Sequence, residues 1–286
     1  MTATPRTTGP LRRFATRAAV FLVVLYATGC GALFVSQNSL IYPRHMIGPA
    51  PAESERPPDA EQIWITAQDG SKVEAWFVAG RGRSATSPGP CVIWLHGNGE
   101  IIDHNMEPAR MYAAMGVSTL LPEYRGYGRS TGSPGQEPIM EDLRAFRELL
   151  LKRPDVDPNS IIYHGESLGT GFACALAAEH PPRAMVLNSP FTSMTAMAGK
   201  FLVPGFLVSS PLRSDAVLKN ATWPVLIFHG TSDEVIPISH GRDLAELTPG
   251  AQLIELDCGH NDLPPSWSDY RQSIASFLSA AGVPVE

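Results

Sequence analysis

From Glu61 onward the chain alternates short apolar runs with longer stretches of helical periodicity. The runs are CVIWL (91–95), VSTLL (117–121), IIYH (161–164), AMVLN (184–188), VLIFH (225–229) and QLIEL (252–256). A continuous apolar run of this length has no polar face, so it suits a strand covered on both sides. The segments between them read as helices near 104–115, 138–152, 167–179, 238–247 and 267–280. Such alternation predicts an α/β architecture, a mostly parallel sheet with right-handed crossovers. QIWIT and KVEAWFV, on either side of the turn AQDGS, add an antiparallel hairpin ahead of it. Ligands in sheets of this kind sit beyond the carboxyl ends of the strands, so the residues just after each run are where chemistry is expected.

After IIYH comes Gly165-Glu166-Ser167-Leu168-Gly169, and then a helical run of small residues. A serine between glycines at a strand-to-helix turn points its hydroxyl out over the sheet. Gly165 and Gly169 are expected there because the sharp turn leaves no room for side chains. The chain holds a second match, GRSTG (Gly128–Gly132), but it follows a loop and precedes SPGQEP rather than a helix. Ser130 is therefore expected to be a loop residue and Ser167 the nucleophile.

A serine hydroxyl needs a base to take its proton. The run VLIFH is followed by GTSDEVIP, which supplies Asp233, and QLIEL by DCGHND, which supplies His260. Both lie on the same sheet edge as Ser167, in the chain order Ser, Asp, His. Glu234, Asp257 and Asp262 are the rival carboxylates. An oxyanion intermediate needs two N–H donors. The amide of Leu168 is expected to be one, and that of Asn98, or alternatively Gly99, in the loop HGNGE the other. His96 is expected to shape that loop rather than titrate. No histidine pair has metal-binding spacing, and neither a metal nor a cofactor is expected.

The N-terminus has a different character. Residues 1–17 carry Arg6, Arg12, Arg13 and Arg17 and no acid, and no charge follows until Arg44. AAVFLVVLYATGCGALFV (Ala18–Val35), counted from Ala15, is long enough to cross a bilayer. The arginines before it predict a cytoplasmic N-terminus with the body extracytoplasmic. Two rivals are a lipoprotein signal, with ATGC placing the lipid on Cys30, and a cleaved secretory signal. The resulting division is a basic arm (1–17), a hydrophobic membrane anchor or signal segment (18–38), a proline-rich tether (39–60) and the α/β domain (61–286).

Setting aside the four arginines of the arm leaves 18 basic against 28 acidic residues, a balance that argues against a nucleic-acid partner. Cys30, Cys91, Cys174 and Cys258 are widely spaced, without any CxxC, and are expected to be free thiols.

HGNGE, EYRGYGRSTGSP, GESLGTG, NSPFTSM, HGTSDEVIP and GHND occur in that order, after QNSLIYPR (Gln37–Arg44). The combination resembles the Bem46-like branch of the α/β-hydrolase fold over nearly the whole chain from about residue 18. The resemblance implies an eight-stranded, mostly parallel sheet with helices on both faces and a short lid. It also implies a serine hydrolase with Ser167, Asp233 and His260 as its triad. The expected reaction is hydrolysis of a carboxylic ester with a small or apolar acyl group. A thioesterase, a peptidase and a non-catalytic membrane-tethered binding module are the alternatives.

The insertion 191–222 is the expected lid. Its FLVPGFLV packs as a helix over the sheet, forms an acyl groove with Phe201, Leu202, Phe206 and Leu207 as pocket residues, or presents a surface to the nearby membrane. Glu123, Arg125 and Arg129 form a polar rim that is expected to order its loop, with contact to a head group as the alternative.

Overall fold

The computed structural model describes residues 9–286, so the first eight residues of the basic arm, Arg6 among them, lie outside the described residues. Eight strands make one sheet: β1 (Glu61–Thr66), β2 (Lys72–Val78), β3 (Gly89–Leu95), β4 (Ser118–Pro122), β5 (Val156–Glu166), β6 (Ala184–Asn188), β7 (Val225–Gly230) and β8 (Gln252–Leu256). Their spatial order is β1-β2-β4-β3-β5-β6-β7-β8. β2 pairs antiparallel with β1 and β4, and all later pairings are parallel. Strand β5, which leads into Ser167, therefore lies centrally, with β6, β7 and β8 beside it in order.

Side chains of β3 alternate between two cores, as a two-residue period dictates. Cys91, Ile93 and Leu95 join the layer built with α3 (Gln136–Leu150), α4 (Leu168–Glu179) and α7 (Ser239–Leu247). Val92 and Trp94 join the opposite layer, built with α2 (Met106–Ala114) and α8 (Trp267–Ala280). Both faces are covered, which is why the central strands read as unbroken apolar runs. The four cysteines are free and buried.

The N-terminal helix α1 runs from Pro10 to Ile41, well beyond the expected 18–38. At 1.5 Å per residue, its 32 residues extend about 48 Å. Nothing stops the helix before Tyr42-Pro43, because the glycines at 29 and 31 only lower its propensity. Within the span Arg12–Ile41, the most apolar 18-residue window has a mean hydropathy of 2.3, and 6% of that window is buried. By length and composition it can cross a membrane.

The segment read as a tether is stitched to the domain at its start. Ile41 and Tyr42 are buried in the main core. The Tyr42 hydroxyl donates to Ser210 Oγ (3.1 Å), and Arg44 Nη1 donates to the Gly132 carbonyl (2.9 Å). Further along, the Pro51 carbonyl accepts from Arg129 Nη1 (3.1 Å). Proline content alone hid these long-range partners.

Two short helices, α5 (Met194–Gly199) and α6 (Ser214–Leu218), with the loop between them, form the insertion after β6.

Candidate active site

Ser167 occupies the turn between β5 and α4 with φ 48° and ψ −113°, a left-handed conformation that costs a non-glycine residue energy. Its surroundings hold it there. The Ser167 amide donates to the Asn188 carbonyl on β6 (2.9 Å), and the Ser167 carbonyl accepts from the amide (3.0 Å) and hydroxyl (2.6 Å) of Thr170. A Cβ at Gly165 would lie 2.6 Å from the Gly169 carbonyl oxygen, and one at Gly169 would collide with the Leu95 carbonyl. Both glycines thus let strand, turn and helix cross at backbone contact.

His260, in the loop after β8, places Nε2 3.0 Å from Ser167 Oγ and Nδ1 2.7 Å from Asp233 Oδ2. A carboxylate only accepts, so Nδ1 carries the ring proton and Nε2 offers its lone pair to the serine hydroxyl. Asp233, in the turn after β7, is fixed by amide hydrogens from Val235 (2.9 Å) and Ile236 (2.7 Å) on Oδ1. Burial disfavours its charge, but the hydrogen bonds from His260 and the Ile236 amide outweigh this and hold its pKa below the ordinary carboxylate value. Glu234, Asp257 and Asp262 make no hydrogen bond to His260 among the described residues; Asp262 instead accepts from the Gly259 amide (3.3 Å). Ser130 is buried and makes no hydrogen bond to Ser167, Asp233 or His260 among the described residues; its hydroxyl accepts from the Glu74 amide (3.0 Å).

Asn98 and Leu168 flank Ser167 on the wall of the cavity described below, whereas Gly99 does not reach it. Neither amide donates to another protein group among the described residues. As the first residue of α4, Leu168 has an N–H with no partner within the helix. The loop carrying Asn98 is shaped from below by His96. Its Nδ1 donates to the Gly97 carbonyl (2.8 Å) and its Nε2 to Glu123 Oε1 (2.9 Å), so both nitrogens carry protons. Burial opposes that charge; the adjacent Glu123 carboxylate overrides it and raises the His96 pKa.

The expected rim residues all turn inward to the protein. Glu123 also accepts the Ile102 amide (3.1 Å), Arg125 pairs with Asp142 (2.7 Å) and Asp69 (2.9 Å), and Arg129 pairs with Glu74 (2.7 Å) and Asp103 (2.9 Å). They order the loop, and none of them lines the cavity.

A cavity of about 530 Å³ opens directly over Ser167. Its lining carries no charged side chain, and its polar side chains are those of Gln37, Asn98 and Ser167. Of the pocket residues expected in the lid, Phe201 and Leu207 line it; Leu202 and Phe206 do not. Leu202 adopts a left-handed φ of 57° after α5, and the following turn at Gly205–Leu207 sends Phe206 outward and Leu207 inward.

Two features went unread in the sequence. One wall of the cavity comes from α1, through Leu33, Phe34, Gln37, Leu40 and Ile41. Beneath Ser167, Asn188 Nδ2 donates to the Tyr270 hydroxyl (2.7 Å), which donates to His164 Nε2 (3.1 Å), while His164 Nδ1 donates to the Tyr112 hydroxyl (2.7 Å). Complete burial pushes the His164 pKa down to about 3, so the ring is a neutral structural link. The only sequence signal for this network was position: His164 and Asn188 each end an apolar run.

The arrangement sets a serine hydroxyl, an imidazole and a carboxylate in one hydrogen-bonded line beside an apolar chamber. Comparison with known proteins bears on the family and the fold. Residues 86–210 match the family described as serine aminopeptidase, S33. An uncharacterised protein of Mycobacterium tuberculosis is 32% identical, with 96% of this chain and 98% of that protein covered. Protein bem46 of Schizosaccharomyces pombe is 28% identical over 87% of this chain and 88% of its own length. Among solved structures, an esterase of Pyrococcus furiosus superimposes with a TM-score of 0.65 at 18% identity, covering 82% of this chain and 97% of that one.

Proposed function

Since the chain belongs to the Bem46-like α/β-hydrolases, we propose that it is a serine hydrolase that cleaves carboxylic esters bearing an apolar acyl group. The observation that carries this reading is the continuous relay from Asp233 through His260 to Ser167 Oγ, at 2.7 and 3.0 Å, on the floor of an apolar cavity.

In this reading Ser167 Oγ attacks the ester carbonyl carbon as His260 Nε2 takes its proton. The carbonyl oxygen becomes an oxyanion, held by the Asn98 and Leu168 amides. Collapse breaks the bond to the alkoxy oxygen, which leaves as the alcohol with the proton from His260. Water, deprotonated by the same ring, then attacks the acyl-serine, and the acid departs as Ser167 regains its proton. Asp233 keeps Nδ1 protonated and stabilises the imidazolium in both halves.

An aminopeptidase must also hold a substrate ammonium group. The uncharged lining here offers no carboxylate for that purpose, which favours an ester with an apolar acyl part. We place the chain in a membrane through α1, with Arg12, Arg13 and Arg17 on the cytoplasmic side and the hydrolase domain outside.

The test uses the full chain in detergent with a fluorophosphonate probe and p-nitrophenyl esters. Labelling and turnover that vanish in Ser167→Ala and persist in Ser130→Ala are expected. A folded wild type that neither labels nor turns over would leave a non-catalytic binding module of the same fold.

A further inference from the structure

Contacts between α1 and the rest of the chain change character along its length. At the C-terminal end polar contacts accompany the apolar ones made by Leu40 and Ile41. Gln37 Oε1 accepts from the amide (2.8 Å) and hydroxyl (2.9 Å) of Ser209, Asn38 Nδ2 donates to the Pro134 carbonyl (3.1 Å), and Tyr42 bonds Ser210. Asn98 Nδ2, beside the nucleophile, donates to the Ile41 carbonyl (3.5 Å). One turn earlier the contacts become apolar, where Leu33 and Phe34 face the cavity.

Further toward the N-terminus, the Tyr26 hydroxyl donates to the Leu202 carbonyl at the lid tip (2.7 Å). Tyr26 lies in the middle of the uncharged stretch 18–35, about 13 Å along the helix from Val35. The lid therefore runs alongside the apolar part of α1. At its tip Phe201, Leu202 and Phe206 are 76%, 76% and 87% exposed, and the apolar residues 20–25 of the helix are also exposed. An exposed apolar patch of this kind marks an interaction surface, and its continuity with a membrane-length helix identifies the partner as hydrocarbon.

We propose that α1 is one wall of the acyl pocket as well as an anchor, and that the pocket opens sideways into the bilayer between α1 and the lid. The substrate class is then a membrane-resident ester of a long-chain fatty acid. Its acyl chain slides from the leaflet between Leu33 and Phe34 on one side and Met194, Met197 and Phe201 on the other, bringing the ester carbonyl to Ser167. Gln37 and Asn98, the polar side chains of the lining other than Ser167, sit where the ester group would end. This inference rests on the hydrolase reading above.

The experiment reconstitutes the full chain in vesicles of dialkyl-ether phosphatidylcholine, which carry no ester. Turnover of p-nitrophenyl palmitate dissolved in the bilayer is compared with that of p-nitrophenyl butyrate from water. Leu33→Trp, which fills the wall, is expected to lower the palmitate-to-butyrate ratio on the order of tenfold. Phe34→Ala, which widens it, is expected to move the chain-length optimum upward. Val24→Trp, on an exposed part of α1 outside the cavity, is expected to leave both unchanged. Fluorophosphonate labelling of Ser167 in each variant reports that the site has folded. At fixed total palmitate ester, adding ether lipid dilutes the ester in the surface and is expected to slow its turnover.

Identical chain-length profiles in labelled Leu33→Trp and Val24→Trp overturn the role of α1. A rate indifferent to surface dilution overturns the membrane source and leaves a long-chain ester taken from water. Failure of wild type to label removes the hydrolase reading itself, which separates the two failures.

Discussion

Asp233 Oδ2 lies 2.7 Å from His260 Nδ1, while Oδ1 of the same carboxylate accepts two amide hydrogens from its own turn. The carboxylate is locked from one side so that the other can orient the histidine. Asp233→Asn presents an amide where an acceptor is needed, which favours the wrong tautomer of His260. The expected result is a fall in kcat on the order of 10⁴-fold on p-nitrophenyl butyrate. A loss of less than tenfold in a folded protein would mean that another carboxylate orients the ring.

Glu166, which immediately precedes Ser167, points to a dependence on pH. Burial raises its pKa well above the usual carboxyl value, and the neighbouring Glu100 adds to the rise. With the folded value raised, the native state binds more protons than the unfolded one above pH 4.5. Stability contributed by this group is therefore full below 4.5 and falls as pH rises toward the folded value. Glu166→Gln cannot ionise, so it is expected to melt higher than wild type at pH 8, with the gap closing toward pH 4.5. Melting curves across that range check this, and parallel curves would contradict it.

Arg129 tests the ordering role of the rim. Glu74 is completely buried and accepts from Arg129 Nε (2.7 Å), Trp76 Nε1 (2.7 Å) and Gln62 Nε2 (2.8 Å). Arg129→Ala leaves that carboxylate without its counter-charge, and a loss of about 3–5 kcal/mol in a denaturant titration is expected. Arg129→Lys is expected to recover only part, because one ammonium cannot also make the forked contact with Asp103. Equal stability of the alanine variant and wild type would show that the rim contributes little.

The contrast between Ser167 and Leu202 explains what could be read from the sequence. Ser167 follows a strand with no polar face and precedes a helix of small residues, so local composition sets its geometry. Asp233 and His260 could be read for the same reason, since each follows a strand whose place in the sheet comes from the alternation. Leu202 sits in a loop whose path depends on a left-handed residue and on Tyr26, 176 positions away. The pocket face of α1 was hidden by chemistry: a leucine facing hydrocarbon and one facing an acyl chain look the same in sequence. The His164 network was hidden because neutral buried polar groups have no local pattern, only long-range partners.

Tyr42 joins the helix to the domain, and its two contributions can be separated. Its ring is buried in the main core and its hydroxyl donates to Ser210 in the lid segment. Tyr42→Phe keeps the packing and loses one hydrogen bond, an expected cost of about 1 kcal/mol. Tyr42→Ala leaves a cavity where α1 enters the domain, with an expected cost of about 3–5 kcal/mol. Denaturation of the full chain in detergent measures both. The same junction predicts that cutting the chain before His45 removes Ile41 and Tyr42 from the core and Leu33 through Leu40 from the cavity wall. The fragment 45–286 is therefore expected to be less stable than the full chain and to lose its preference for long acyl chains. If it matches the full chain in both stability and chain-length profile, the helix is an anchor alone.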